Sequence, residues 1–288
     1  MKLACNISKF NCGIDTAIDL IAKYNLNALE MNLAPFKTTA TDKFTTSEQN
    51  YFKQIRDKAF AYDLKFSSVN LDSCLTDFKK SSYDNEIKMF KKLTNVANIL
   101  ACNKIGIYIN PSNSSDWKEI IISHLNILND LALQQGIKLL LRLSTPINYR
   151  KSSLFNWKVI DTLDWRDLIA NVPGLSLSFS PADCIWLGIN YLDILPGIVS
   201  AIENIEAHDI EINRTILSDN GLFGPLWWQY RMPGKGLVDW RQLIEALKLY
   251  EYKENITIQF EDDFIEDSDT EFENSLHNSV KFLKPLVK

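Results

Sequence analysis

Apolar residues along this chain follow two alternating rhythms. Short β-type runs predict strands at Leu3–Ile7, Ala28–Leu33, Lys65–Asn70, Lys104–Ile109, Lys138–Ser144, Leu175–Phe179, Ile205–Asp209 and Asn255–Phe260. Between them, apolar residues recur three and four apart, the spacing of one helix face. Ile14, Ala17, Ile18, Ile21 and Ala22 make one stripe, and Ile87, Phe90, Leu93, Val96, Ala97 and Leu100 a second. Ile120, Ile121, Leu125, Leu128, Leu131 and Leu133 make a third. Leu243, Ile244, Leu247 and Leu249 precede the last strand, and Phe272, Leu276, Val280 and Leu283 follow it. Lys23-Tyr24-Asn25, Cys102-Asn103 and Gln135-Gly136 carry helix-stop chemistry just before strands two, four and five. Eight β-then-α units without a Pro- or Gly-rich linker predict one domain over residues 1–288, a closed (β/α)₈ TIM barrel and not an open doubly wound sheet. The sequence has no GxGxxG phosphate loop, which weighs against dinucleotide binding.

One connection is long. Residues 210–238, after the seventh strand, contain Trp227, Trp228, Tyr230, Arg231, Pro233, Gly234, Lys235 and Gly236. Barrel enzymes build their sites on the loops leaving the C-terminal ends of the strands, so this segment is a candidate lid or wall.

Composition narrows the partners. A formal net charge of −5 offers no global positive field for a phosphate backbone, so no nucleic-acid partner is expected. No stretch approaches the roughly 20 apolar residues that span a bilayer, and the start Met-Lys-Leu-Ala-Cys lacks the apolar run that precedes a lipidated cysteine. A soluble, cytoplasmic protein without a membrane partner is expected. Cys5, Cys12, Cys74, Cys102 and Cys184 are scattered without a Cys-x-x-Cys pair, which fits reduced thiols. His124 and His277 are expected to be solvated.

The last third carries the motifs. Tyr230-Arg231-Met232-Pro233-Gly234-Lys235-Gly236-Leu237-Val238-Asp239-Trp240 leads toward Gln259-Phe260-Glu261-Asp262 at the end of the last strand. In the first segment the glycines permit sharp bends and Asp239 can cap the following helix, with Trp240 docked behind it. Together with Phe179-Ser180-Pro181-Ala182-Asp183 and Glu206-Ala207-His208-Asp209, these segments resemble the xylose-isomerase-like sugar isomerase/epimerase barrels. The resemblance runs from residue 1 to about 283 and is strongest from Leu175 onward.

That resemblance implies a divalent cation gripped by Glu, Asp, His and Glu at the ends of strands five to eight, polarising a sugar carbonyl or hydroxyl for proton transfer. At the corresponding positions this chain has Arg142, Ser180, Glu206 and Gln259. Asp183 and His208 stand where the family places a His and a Lys, while Asp209 matches the family's Asp. Beside a fixed guanidinium, a cation about 4 Å away would meet some 4 kcal/mol of repulsion at an effective dielectric of 20. No metal and no other cofactor is expected. A buried Arg142–Glu206 ion pair is one reading of the swap; the other has Arg142 binding a ligand oxygen, with Glu206 as base and His208 nearby.

The implied function is a sugar or sugar phosphate isomerase/epimerase-like protein with a sugar-sized pocket at the barrel mouth. Arg142, Ser180, Asp183, Arg231, Gln259 and Glu30 would supply polar contacts, and Trp186, Trp227 and Trp228 apolar faces for a sugar ring. A catalytically inactive sugar-binding or partner subunit is the alternative, and a homo-oligomer is left open. An AP-endonuclease-like role is remote, since it needs a His-rich multi-metal site and only three histidines occur.

Overall fold

The β-type runs pair side by side in one cylinder, and the helical stripes cover it. The computed structural model describes residues 1–10, 13–33, 44–75, 80–109, 114–142, 161–222, 224, 227–262, 264–265 and 268–288, with backbone alone at 72–75 and 80–83. The barrel strands are β1 (Lys2–Asn6), β2 (Ala28–Leu33), β3 (Lys65–Leu75), β4 (Lys104–Ile109), β5 (Lys138–Arg142), β6 (Ser176–Phe179), β7 (Ile202–Ala207) and β10 (Asn255–Ile258). All pair in parallel, and β1 closes the circle against both β2 and β10. Residues 143 and 144, expected to extend the fifth strand, lie outside the described residues, as does Cys12, while only the backbone is described at Cys74.

Helices α1 (Gly13–Lys23), α2 (Thr46–Ala61), α3 (Lys80–Ile99), α4 (Trp117–Leu133), α5 (Thr162–Asn171), α9 (Trp240–Leu249) and α10 (Asp269–Val287) lie outside the strands, with the shorter α6 (Pro181–Trp186), α7 (Tyr191–Ile194) and α8 (Arg214–Asn220). The expected stripes are their buried faces: Ile18 and Ile21 on α1, Phe90, Leu93 and Val96 on α3, Leu243 and Leu247 on α9 are at most 1% exposed. Leu133 and Leu249 correct that pattern. Each is the last residue of its helix and is exposed, because the chain turns away toward the next strand there. His124 is also corrected: it is buried between α3 and α4, with Nε2 3.4 Å from Glu86 Oε2, and burial lowers its pKa to about 4. His277 is exposed, as expected.

At the N-terminal end, Lys104 of β4 reaches across the barrel to Glu203 of β7 (2.8 Å) and to Glu254 just before β10 (2.7 Å). This buried lysine ties opposite walls together and seals that end. Barrel enzymes build their sites at the opposite, C-terminal end.

The segment 210–238 is built as a ribbon. Strand β8 (Asp209–Ile212) pairs antiparallel with β9 (Trp228–Arg231), with α8 between them. Trp228 and Tyr230 face inward along β9, while Gln229 and Arg231 are half-exposed on the other face.

Candidate functional site

Arg142 is the last residue of β5, and its neighbours explain how a long cation fits inside a barrel. On β4, Gly106 leaves room: a Cβ there would lie 3.0 Å from Arg142 Cδ and 2.2 Å from Asn70 Oδ1. Tyr108, two residues on, places its ring 4.6 Å from the Arg142 Cζ. Two strands away on β7, Glu206 Oε1 accepts from Arg142 Nε at 2.8 Å, and Ser178 on the intervening β6 donates to the same oxygen at 2.8 Å. The two side chains are only 2% and 4% exposed, so this pair lacks the solvent screening that makes surface pairs weak.

The pair continues into a polar network that fills the upper barrel. Glu30 of β2 is fully buried and accepts from Asn6 (2.9 Å), Ser68 (2.8 Å), Asn204 (3.2 Å) and Gln259 (2.6 Å). Asn204 also donates to Ser178, which joins this carboxyl group to the Arg142–Glu206 pair. Barrel interiors are usually packed with branched apolar residues, so so many hydrogen-bonded polar side chains mark this end as specialised.

A second cluster sits beside it. Ser180 caps the short helix α6, accepting from the Asp183 amide at 3.1 Å, and its Oγ lies 3.2 Å from His208 Nε2. Tyr230, delivered by the ribbon, donates from its phenol to Asp183 Oδ1 and sets its ring edge-to-face on His208, with centroids 4.6 Å apart. Burial pushes the Asp183 carboxyl up to about 7, with Glu206 acting in the same direction and the Tyr230 hydrogen bond opposing. Burial, assisted by the Arg142 charge, pushes His208 down to about 3, so its ring is neutral near pH 7. His208 Nδ1 is enclosed without a hydrogen-bond partner among the described residues.

Other expected contact residues are engaged elsewhere. Arg231 lies on the other face of β9, bonded to Glu211 and to Asp262 (3.2 Å), with its guanidinium over Phe264. The expected substrate anchor thus clasps the ribbon to the end of β10. Trp186 stacks on Trp227, and both meet Trp228 edge-on, so the indoles cover one another instead of opening toward a sugar. Trp227 and Trp228 are 3% and 4% exposed, and Trp186 is half-buried.

The Gly-rich motif has a structural explanation. Asp209 accepts from the amides of Ile210 (3.0 Å), Gly234 (3.0 Å) and Val238 (2.9 Å) and from the Trp240 indole (3.2 Å). Gly236 passes so close that a Cβ would lie 2.4 Å from Asp209 Oδ1, and Gly234 takes a positive φ of 86°. Asp239 caps α9 through the Gln242 amide.

Sequence reasoning missed Tyr230 as a site residue. Its signal was the alternation along β9, which puts Tyr230 and Arg231 on opposite faces, but that strand lay inside a segment read as a loop.

The profile of the xylose isomerase-like TIM barrel family matches residues 18–286, and the chain belongs to that family. No curated protein matches it in sequence. Among solved structures it is similar to a xylose isomerase domain protein from Planctomyces limnophilus, at 16% identity over 99% of this chain and 96% of that one, TM-score 0.74. It is also similar to the 3-keto-D-glucoside 4-epimerase YcjR from E. coli, at 13% identity over 98% and 99%, TM-score 0.71. A family 2 AP endonuclease from Brucella melitensis has 11% identity over 99% of each chain, TM-score 0.71. At these identities the likenesses establish the shared fold.

Arg142, Ser180, Glu206 and Gln259, the residues expected at the family's ligand positions, are not a donor set for a divalent ion. Ser180 and Gln259 are neutral, and Arg142 brings a positive charge. Glu206, the one carboxylate of the four, already receives Arg142 Nε and Ser178 Oγ on one oxygen. Among the described residues no group of three or more His, Cys, Asp and Glu side chains is arranged to hold an ion. No helix among them is long and apolar enough to cross a membrane.

Proposed function

We propose that this chain is a sugar isomerase/epimerase-like protein that binds a small sugar or sugar derivative at the C-terminal end of its barrel and uses no divalent metal centre. The observation that carries this reading is the buried 2.8 Å Arg142–Glu206 pair, at strand ends where the family resemblance leads one to expect two metal ligands. A fixed guanidinium offers a carbonyl or hydroxyl oxygen the positive partner that the family obtains from its ion. Proton transfer then falls to Asp183: its carboxyl changes charge near pH 7, and the Tyr230 phenol holds it in place. Glu206 is engaged by Arg142, and His208 remains a neutral hydrogen-bond partner of Ser180.

A second reading, a non-catalytic sugar-binding or partner subunit, draws on the same ion pair, which removes Glu206 from use as a base. Thermal-shift measurements with D-xylose, D-fructose and D-ribose test binding. A ligand-induced rise in Tm that Arg142→Ala abolishes is expected, and an unchanged rise in that variant contradicts the anchoring role. Exchange of carbon-bound hydrogen in a bound sugar with D2O, followed by NMR, separates the two readings: the active protein exchanges it and Asp183→Asn does not.

A further inference from the structure

Resting on the reading above, that a ligand enters this end of the barrel, we infer that Ser180 fixes the tautomer of His208 and that the His208 Nδ1–H binds an acceptor oxygen of that ligand. Glu206 and His208 stand two residues apart where β7 ends, so the period of two along a strand sends both toward the barrel interior, and both are buried. The two nitrogens of the imidazole differ. Nε2 lies 3.2 Å from Ser180 Oγ, and Tyr230 packs edge-to-face on the ring, whereas Nδ1 is enclosed without a hydrogen-bond partner among the described residues. Buried polar atoms in native proteins are nearly always bonded, so an enclosed one at this end marks a contact that a ligand completes.

Ser180 decides which nitrogen carries the proton. Its Oγ accepts the Asp183 amide at 3.1 Å as the cap of α6, which orients the hydroxyl. The hydroxyl proton then has His208 Nε2 as its acceptor, because the Asp183 carboxyl beside it receives the Tyr230 phenol. A neutral imidazole whose Nε2 accepts bears its proton on Nδ1. Burial and the Arg142 charge keep the ring neutral. Position 208 thus offers a hydrogen bond without adding a second positive charge beside Arg142.

Nitrogen-15 NMR of the native chain labelled at histidine tests this without any ligand, since only three histidines occur and His124→Gln and His277→Gln remove the other two signals. One-bond coupling of a proton to Nδ1 and none to Nε2 is expected. The opposite tautomer overturns the inference and leaves the proposed function standing, because Arg142 and Asp183 keep their roles. Saturating D-xylose or D-fructose is then expected to shift the Nδ1 resonance; a resonance that stays put while Tm rises also overturns it.

Two variants separate the contact from mere packing. His208→Asn keeps a donor near the Nδ1 position, whereas His208→Gln keeps only an atom near Nε2. In calorimetric titration with D-xylose, Asn is expected to hold the affinity within about threefold and Gln to weaken it about tenfold. Equal losses overturn the inference. A Tm unmoved by D-xylose, D-fructose and D-ribose alike contradicts the proposed function, and the inference falls with it.

Discussion

Removing Arg142 alone would leave the Glu206 carboxylate buried with only the Ser178 hydroxyl bonded to it. Arg142→Met is therefore expected to cost about 3 to 5 kcal/mol, and adding Glu206→Leu to recover much of that, because a buried pair replaced as a unit leaves no uncompensated charge. Urea denaturation of the two single variants and the double variant measures the coupling. A cost below about 1 kcal/mol for Arg142→Met would mean a solvated pair. Asp183 gives a prediction with a definite sign. Its folded pKa of about 7 lies above the ordinary value of 3.8, so its contribution to stability is present below the lower value and is lost as pH rises to the higher. The stability of Asp183→Asn relative to the native protein should increase from about pH 4 to about pH 7 and then level off. A difference in Tm that stays flat across that window would show that Asp183 is not held up by burial.

The ribbon and the motif behind it stand on Asp209, which accepts from four N–H groups around one carboxylate. Gly236→Ala would drive a methyl into that carboxylate and into the Ile210 carbonyl, each 2.4 Å from the new Cβ. A loss of about 1 to 3 kcal/mol in denaturation midpoint stability is expected, with β9 and Tyr230 loosened first in hydrogen exchange. An unperturbed Tyr230 in that variant would detach the motif from the site. Elements were largely legible in the sequence, because strands and helix faces are written in periodicity. Helix ends were legible where a left-handed residue was an Asn or Gly, as at Asn25 (φ 52°) and Gly136 (φ 68°). The end of α3 shows the limit: Ala101 takes φ 54° there, and Cys102-Asn103 were read in its place. The β8–β9 ribbon was hidden because a short helix and glycines interrupt its alternation.

At the scale of the whole molecule, a barrel closed in parallel explains why residues as far apart in sequence as Glu30, Arg142, Glu206 and Gln259 meet inside one end. That they meet was legible from strand order; beyond the Arg142–Glu206 pair, what each then bonds to was not. Arg142 was read as facing Glu206, and it does. Arg231 was read as a substrate contact, yet Glu211 and Asp262 claim it. The three tryptophans were read as open faces and instead cover one another. Pairwise partners of this kind depend on side-chain direction, which a single sequence encodes only weakly. The central claim is that the Arg142 guanidinium holds the place of an inorganic ion. Metal analysis of the purified chain, before and after chelation and with Tm recorded at each stage, tests it most directly. The account predicts no stoichiometric Mn, Co, Zn or Mg and an unchanged Tm; one bound ion per chain, whose removal lowers Tm, would contradict it.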